Sequence, residues 1–125
     1  LNLERVGDVM RTDVELVYAD ETTDAVIESM RKRSIVSAIV VDNEDQFIGY
    51  FSLELVQKNA KKIVGDIANE IIASTEIEGT MKDAFSEMLS LSLGYMPVLG
   101  EGDKVVGIIT AGDAQRLIQT TEQEQ

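Results

Sequence analysis

The run Gly107-Ile108-Ile109-Thr110-Ala111-Gly112-Asp113 sets a hydroxyl and a carboxylate three residues apart, where an apolar strand gives way to a helix. Thr110 falls at the helix cap. Its hydroxyl and the amides a helix leaves unpaired in its first turn suit a phosphate. Asp113, one turn on, can accept hydrogen bonds from the two hydroxyls of a ribose. The same residues also make structural sense, with Thr110 capping its own helix and Asp113 complementing the helix dipole. Local chemistry weighs the two readings evenly.

Other chemistries are excluded by composition. The 125 residues include no cysteine and no histidine. That removes disulfides, thiol nucleophiles, Cys/His zinc sites and any Ser-His-Asp triad. A catalyst would have only carboxylates, hydroxyls and lysines to work with, so the expectation is a chain that is not an enzyme. Eleven basic residues against twenty-three acidic ones give a net charge of −12, which repels phosphate backbones and argues against nucleic-acid binding. An anionic small ligand remains compatible if local amides outweigh the distant charge. No apolar run approaches the ~18 residues of a membrane span, and no signal-peptide pattern opens the chain. With 44% hydrophobic residues it should fold. It begins at Leu1 rather than Met, as a segment of a longer protein would.

The elements that must position Thr110 and Asp113 come from an internal repeat. Val6-Gly7-Asp8-Val9 returns as Val64-Gly65-Asp66-Ile67, a shift of 58 residues. The same ungapped shift pairs Thr22 with Thr80, Met30 with Met88, Ser34 with Ser92, Val40 with Val98, Asp45 with Asp103 and Gly49 with Gly107. Each copy reads as an initial strand, helix, strand, strand, helix. In copy one, Thr22 caps a helix reaching about Arg33, with Ala25, Val26 and Met30 spaced to face a core. Strands at Ala38–Val41 and Phe47–Phe51 flank an acidic turn, and a second helix spans about Leu53 to Ala60. Copy two repeats this with a helix from Thr80 to about Ser92, strands near Met96–Leu99 and Val105–Ile109, and a helix from about Ala111 to Gln119. A polar tail follows from Thr120. One such unit buries too little to be stable alone, which predicts two copies packed face to face around a shared core. The expected boundaries are residues 1–62 and 63–125, with Asn59 to Lys62 as the linker.

Val9-Met10-Arg11-Thr12, Val36-Ser37-Ala38, Tyr95-Met96-Pro97-Val98 and the Gly-x-x-Thr-x-x-Asp run from Gly107 to Asp113 together resemble a tandem pair of cystathionine-β-synthase (CBS) motifs. Such a pair is called a Bateman module, and the likeness covers essentially the whole chain. It implies an α+β, sandwich-like fold of two pseudo-symmetric β-α-β-β-α motifs. It also implies a regulator that binds adenine nucleotides in clefts between the motifs and controls an attached enzyme, channel or transporter. Carried over residue by residue, Thr110 would meet phosphate and Asp113 ribose. Val36, Ser37 and Ala38 would offer backbone to the adenine edge, with Asp13 and Val14 lining the other side. Ile108, beside Thr110, completes the set with Tyr95, whose ring could stack on adenine for roughly 1–3 kcal/mol. As a structural residue, Tyr95 would be a half-buried core tyrosine. The pseudo-symmetric cleft is weaker, because Thr110 corresponds to Ser52 and Asp113 to Leu55. The family often places a basic residue directly after the threonine. Ala111 stands there instead, which favours a ligand with fewer charges than ATP.

A finer likeness rests on Gly49-Tyr50-Phe51, Leu53-Glu54, Lys61-Lys62, Glu78-Gly79-Thr80 and Gly94-Tyr95-Met96-Pro97-Val98. These are similar to the C-terminal CBS pair of ATP-binding subunits from bacterial importers of glycine betaine, carnitine or choline. That resemblance implies a cytoplasmic homodimer attached to an ATPase domain and a permease, and membrane-associated only through that transporter. It needs no cofactor and takes cyclic di-AMP, AMP or ATP as regulator. The competing reading is a dimerisation module with vestigial clefts.

Three further features read as structural. The Asp42-Asn43-Glu44-Asp45 turn lacks the spacing and glycine of a calcium loop. Arg31, Lys32 and Arg33 complement a helix C-terminus. Met30, Met81, Met88 and Met96 fill core.

Overall fold

The structure is a computed structural model that describes residues 4–53, 63–68 and 73–123. The elements run α1 (Val6–Val9), β1 (Leu16–Tyr18), α2 (Thr23–Lys32), β2 (Ser37–Val41), β3 (Phe47–Ser52), α3 (Val64–Ile67), β4 (Thr75–Glu76), α4 (Met81–Ser90), β5 (Tyr95–Leu99), β6 (Val105–Thr110) and α5 (Ala111–Gln123). This is the expected mixed α+β architecture. The chain forms two compact units, residues 15–72 and residues 1–14 with 73–125.

In the first unit β1 pairs parallel to β2 and β2 antiparallel to β3, giving the order β1-β2-β3. The helix α2 starts because Thr22 adopts extended geometry and its hydroxyl accepts the Ala25 amide at 3.4 Å. It ends where Ser34 turns left-handed at φ 56° and the Ile35 amide reaches back to the Met30 carbonyl at 2.9 Å. The core gathers Val17, Val26, Met30, Ala38, Val40, Phe51 and Val64. Ala25, expected to face it, is exposed. Thr23, one position after the cap, is buried instead.

The second unit repeats this construction as β4-β5-β6. Thr80 accepts the Asp83 amide at 3.2 Å and starts α4. Ser92, also at φ 56°, ends the helix with the Leu93 amide on the Met88 carbonyl at 2.8 Å. Its core holds Val6, Ala73, Met81, Ala84, Met88, Met96, Val98, Ile109 and Ala114. Among the described residues each unit thus gathers its own cluster of buried side chains. The four methionines assigned to core filling are 0–1% exposed.

Each unit borrows the opening of the other repeat. The amides of Val6 and Gly7 donate to the carbonyls of Gly79 and Ile77 at 2.8 and 2.9 Å, within the second unit. Those of Val64 and Gly65 donate to Glu21 and Ala19 at 2.9 and 2.8 Å, within the first. The two spatial units thus exchange the opening segments of the two repeats. Helix α5 runs to Gln123, past the expected end at Gln119. The expected helix from Leu53 to Ala60 and the linker Asn59 to Lys62 lie outside the described residues, apart from Leu53 itself.

The acidic turn is held by its own side chain. Asp42 Oδ1 accepts the amides of Glu44 and Gln46 at 2.8 and 3.0 Å, closing the β2–β3 hairpin. Asp45 sits left-handed at φ 63°, as Asp103 does at φ 59° in the other unit. Lys32 pairs with Glu28 at 3.4 Å and Arg33 with Glu15 at 2.6 Å.

Candidate functional site

Within the second unit, β6 delivers Thr110 to the first turn of α5. The Thr110 hydroxyl accepts the Asp113 amide at 3.1 Å, so Thr110 does cap its helix. The Ala111 amide donates to the Gly94 carbonyl at 2.8 Å. These two amides of the helix start, expected to be open to a phosphate, already have partners. A capping hydroxyl accepts with one lone pair and still has a proton to donate.

Asp113 is held from two directions. Arg11 donates from Nε to Oδ2 at 2.9 Å and from Nη2 to Oδ1 at 3.1 Å, a two-pronged grip across 102 residues of sequence. Arg116, one turn along α5, donates to Oδ1 as well. The Arg11 guanidinium holds the Asp113 carboxyl below its ordinary value of 3.8. Desolvation opposes this, while the Thr110 hydroxyl and the charges of Arg11 and Arg116 assist it. The Asp113 side chain is 15% exposed and those of Arg11 and Arg116 are 55% and 70% exposed, so solvent screens the pairing from the arginine side.

Backbone contacts place Arg11 here. The Arg11 amide donates to the Ile108 carbonyl and the Ile108 amide to the Arg11 carbonyl, both at 2.8 Å. Gly107 makes the approach possible, since a Cβ there would lie 2.8 Å from the Arg11 carbonyl oxygen and 2.7 Å from Met10 Sδ. Beside the cluster, a solvent-open depression of about 430 Å³ is lined by Val9, Arg11, Asp113, Arg116 and Leu117.

Of the residues singled out in the sequence, the second unit brings together Ile108, Thr110 and Asp113. Half-buried Tyr95 stands directly across from Thr110 in the β5–β6 ladder. Asp13 is exposed and Val14 half-buried in the segment after Arg11. Val36, Ser37 and Ala38 belong to the other unit. There Val36 is 71% exposed, its carbonyl accepting the Leu53 amide at 3.0 Å, while Ser37 and Ala38 pair with Ser52 and Phe51 in β2–β3. Both guanidiniums went unassigned in the sequence. The three-residue spacing from Asp113 to Arg116 on a helix was a usable signal for one, whereas no local pattern joins Arg11 to Asp113. Among the described residues no group of three or more Asp or Glu side chains could hold a metal ion, and no helix is long and apolar enough to cross a membrane.

Two three-stranded units, one of them ending in a capping threonine and a helix-borne aspartate, define the class of domain. The CBS-domain profile matches residues 6–58 and 64–120, and the chain belongs to the CBS-domain family. It is 32% identical over 111 residues to the glycine betaine/carnitine/choline transport ATP-binding protein OpuCA of Bacillus subtilis (strain 168), a match covering 87% of this chain. The chain spans only 29% of that relative's length. Among solved structures it resembles CBSX2 in complex with AMP, with a TM-score of 0.77 and 22% identity over 94% of this chain and 98% of that one. It also resembles the cytosolic domain of the Mg2+ channel MgtE in complex with ATP, with a TM-score of 0.81 and 21% identity over 90% of this chain and 48% of that one.

Proposed function

We propose that this chain is an adenine-nucleotide-sensing regulatory module, not a catalyst, and that it controls the ATPase of an osmolyte importer. The observation that carries the reading is the Asp113 carboxylate, set one turn into α5 beside the Thr110 hydroxyl and flanked by two guanidiniums over an open depression. A carboxylate suits ribose hydroxyls and guanidiniums suit phosphate. The structural neighbours that hold AMP and ATP support the nucleotide class. The relative from an osmolyte importer supports the host.

Thr110 and Asp113 are the residues for phosphate and ribose, and Tyr95 offers its ring to adenine. Asp13, Val14 and Ile108, of the same unit, supply further surface. Cyclic di-AMP, bound by a homodimer, is the regulator we favour over AMP or ATP, since it spreads two charges over two phosphates and suits a chain of net charge −12 with Ala111 after the threonine. Binding would bias the attached ATPase by favouring one of two states of the module. The module would then act in the cytoplasm, at the membrane only through its permease.

Thermal melting with AMP, ATP and cyclic di-AMP tests the reading. Saturation at 100 times the dissociation constant adds about 2.7 kcal/mol, several degrees for a domain of this size. The expected result is a shift with one ligand that Asp113→Ala or Tyr95→Ala abolishes. Without a shift from any of them, a dimerisation module with vestigial clefts becomes the better description.

A further inference from the structure

The contacts of Asp113 leave little room for the ribose that the proposed function assigns to it. A carboxylate offers about four lone-pair positions. Two are taken by Arg11 and a third by Arg116. A vicinal diol needs two, so a guanidinium must leave before it can bind. The phosphate faces a related difficulty, because the Ala111 and Asp113 amides at the start of α5 donate to Gly94 and Thr110. With those two amides engaged, Arg11 and Arg116, the cations lining the depression beside Asp113, are the charged groups at hand for a phosphate.

We propose that Arg11 is an exchangeable latch that sets phosphate specificity. Without ligand it closes over Asp113. When a nucleotide binds, the ribose hydroxyls take over the carboxylate oxygens and the released guanidinium turns to the phosphate, with Arg116 beside it. One cation thus has two anionic partners in turn. A nucleotide supplies both the diol that displaces Arg11 and the anion that receives it. A nucleoside supplies only the diol and must displace Arg11 into water. The inference rests on the nucleotide-sensing reading in its mononucleotide form, AMP or ATP, because cyclic di-AMP has its 3′ oxygens esterified and carries no vicinal diol. It adds a residue supplied by the segment after α1.

The latch is ready to move. Arg11 keeps its place through backbone bonds to Ile108 that do not involve its side chain, and the side chain is about half exposed. Turning the guanidinium therefore leaves the Arg11–Ile108 bridge intact.

Calorimetric titration of the chain with AMP and with adenosine, in wild type, Arg11→Ala and Arg11→Gln, separates the alternatives. A latch gives changes of opposite sign. Both variants should bind AMP several-fold more weakly and adenosine several-fold more tightly, since the phosphate partner and the internal competitor vanish together. Arg116→Ala should reduce the preference for AMP by a smaller factor. Melting of each unliganded variant shows whether the fold is intact, and the Gln variant carries the test if the Ala variant is unfolded. Wild-type binding of AMP with both ligands weakened alike, or both unchanged, overturns the latch and leaves the sensor standing. Failure of the wild type to bind AMP or adenosine overturns the latch, and failure with cyclic di-AMP as well overturns the nucleotide reading.

Discussion

The two strand pairs β2–β3 and β5–β6 share one register to the residue, yet they end in different chemistry. Each carries its irregularity at the equivalent place, between Val40 and Val41 and between Val98 and Leu99. Each closes on a residue pair that the repeat shift superposes, Ser37 opposite Ser52 in one unit and Tyr95 opposite Thr110 in the other. Several buried residues are the same in both units, with Met30, Val40 and Val6 matched by Met88, Val98 and Val64. Other matched core positions change volume in opposite directions, Ala38 against Met96 and Phe51 against Ile109. The ladder ends lie at the surface, where side chains can diverge without disturbing the core. An aromatic ring and a threonine cap face each other in one unit, and two small hydroxyls in the other.

If the units are equal as packing problems, equivalent core truncations should cost alike. Met30→Ala and Met88→Ala remove repeat-matched, fully buried side chains, and each should lower stability by about 2–5 kcal/mol in chemical denaturation. A gap between them comparable to either value would break the equivalence and mark one unit as the weaker partner. Gly107→Ala sharpens the contrast on the side of the candidate site. Its Cβ would press on the Arg11 carbonyl and Met10 Sδ, and overpacking of this kind should cost about 1–3 kcal/mol. The same variant should loosen the Arg11–Asp113 pairing, readable as a changed Asp113 titration by NMR.

The smallest effect concerns pH. Asp113 titrates below its ordinary value of 3.8 in the folded chain, so its contribution is fully present above that pH and is lost as pH falls through the lower folded value. The stability difference between wild type and Asp113→Asn should therefore be constant near neutrality and shrink below about pH 3.8. It should also shrink with added salt, because the arginine partners are largely exposed. A difference that grows on acidification would break the assignment of Arg11 and Arg116 as the groups holding that carboxylate.

Much of this architecture was legible from local pattern. The 58-residue shift, the caps Thr22 and Thr80, the apolar runs of β2 and β5 and the methionines of both cores all follow from periodicity and residue type. Burial at Thr23 in place of Ala25 shows the limit of periodicity near a cap, where one residue of phase moves a side chain from solvent to core. Thr110 and Asp113 were found because a strand-to-helix junction writes its chemistry within four residues.

What the sequence determined by itself is what short-range physics encodes: helix starts, strand alternation, the hairpin turns and the duplication that repeats them. The tertiary structure decided which opening segment completes which unit and that Arg11 closes on Asp113. Those outcomes depend on loop closure and packing between residues dozens of positions apart. They leave no period in the chain, and only the folded arrangement of carbonyls, amides and apolar faces selects among them.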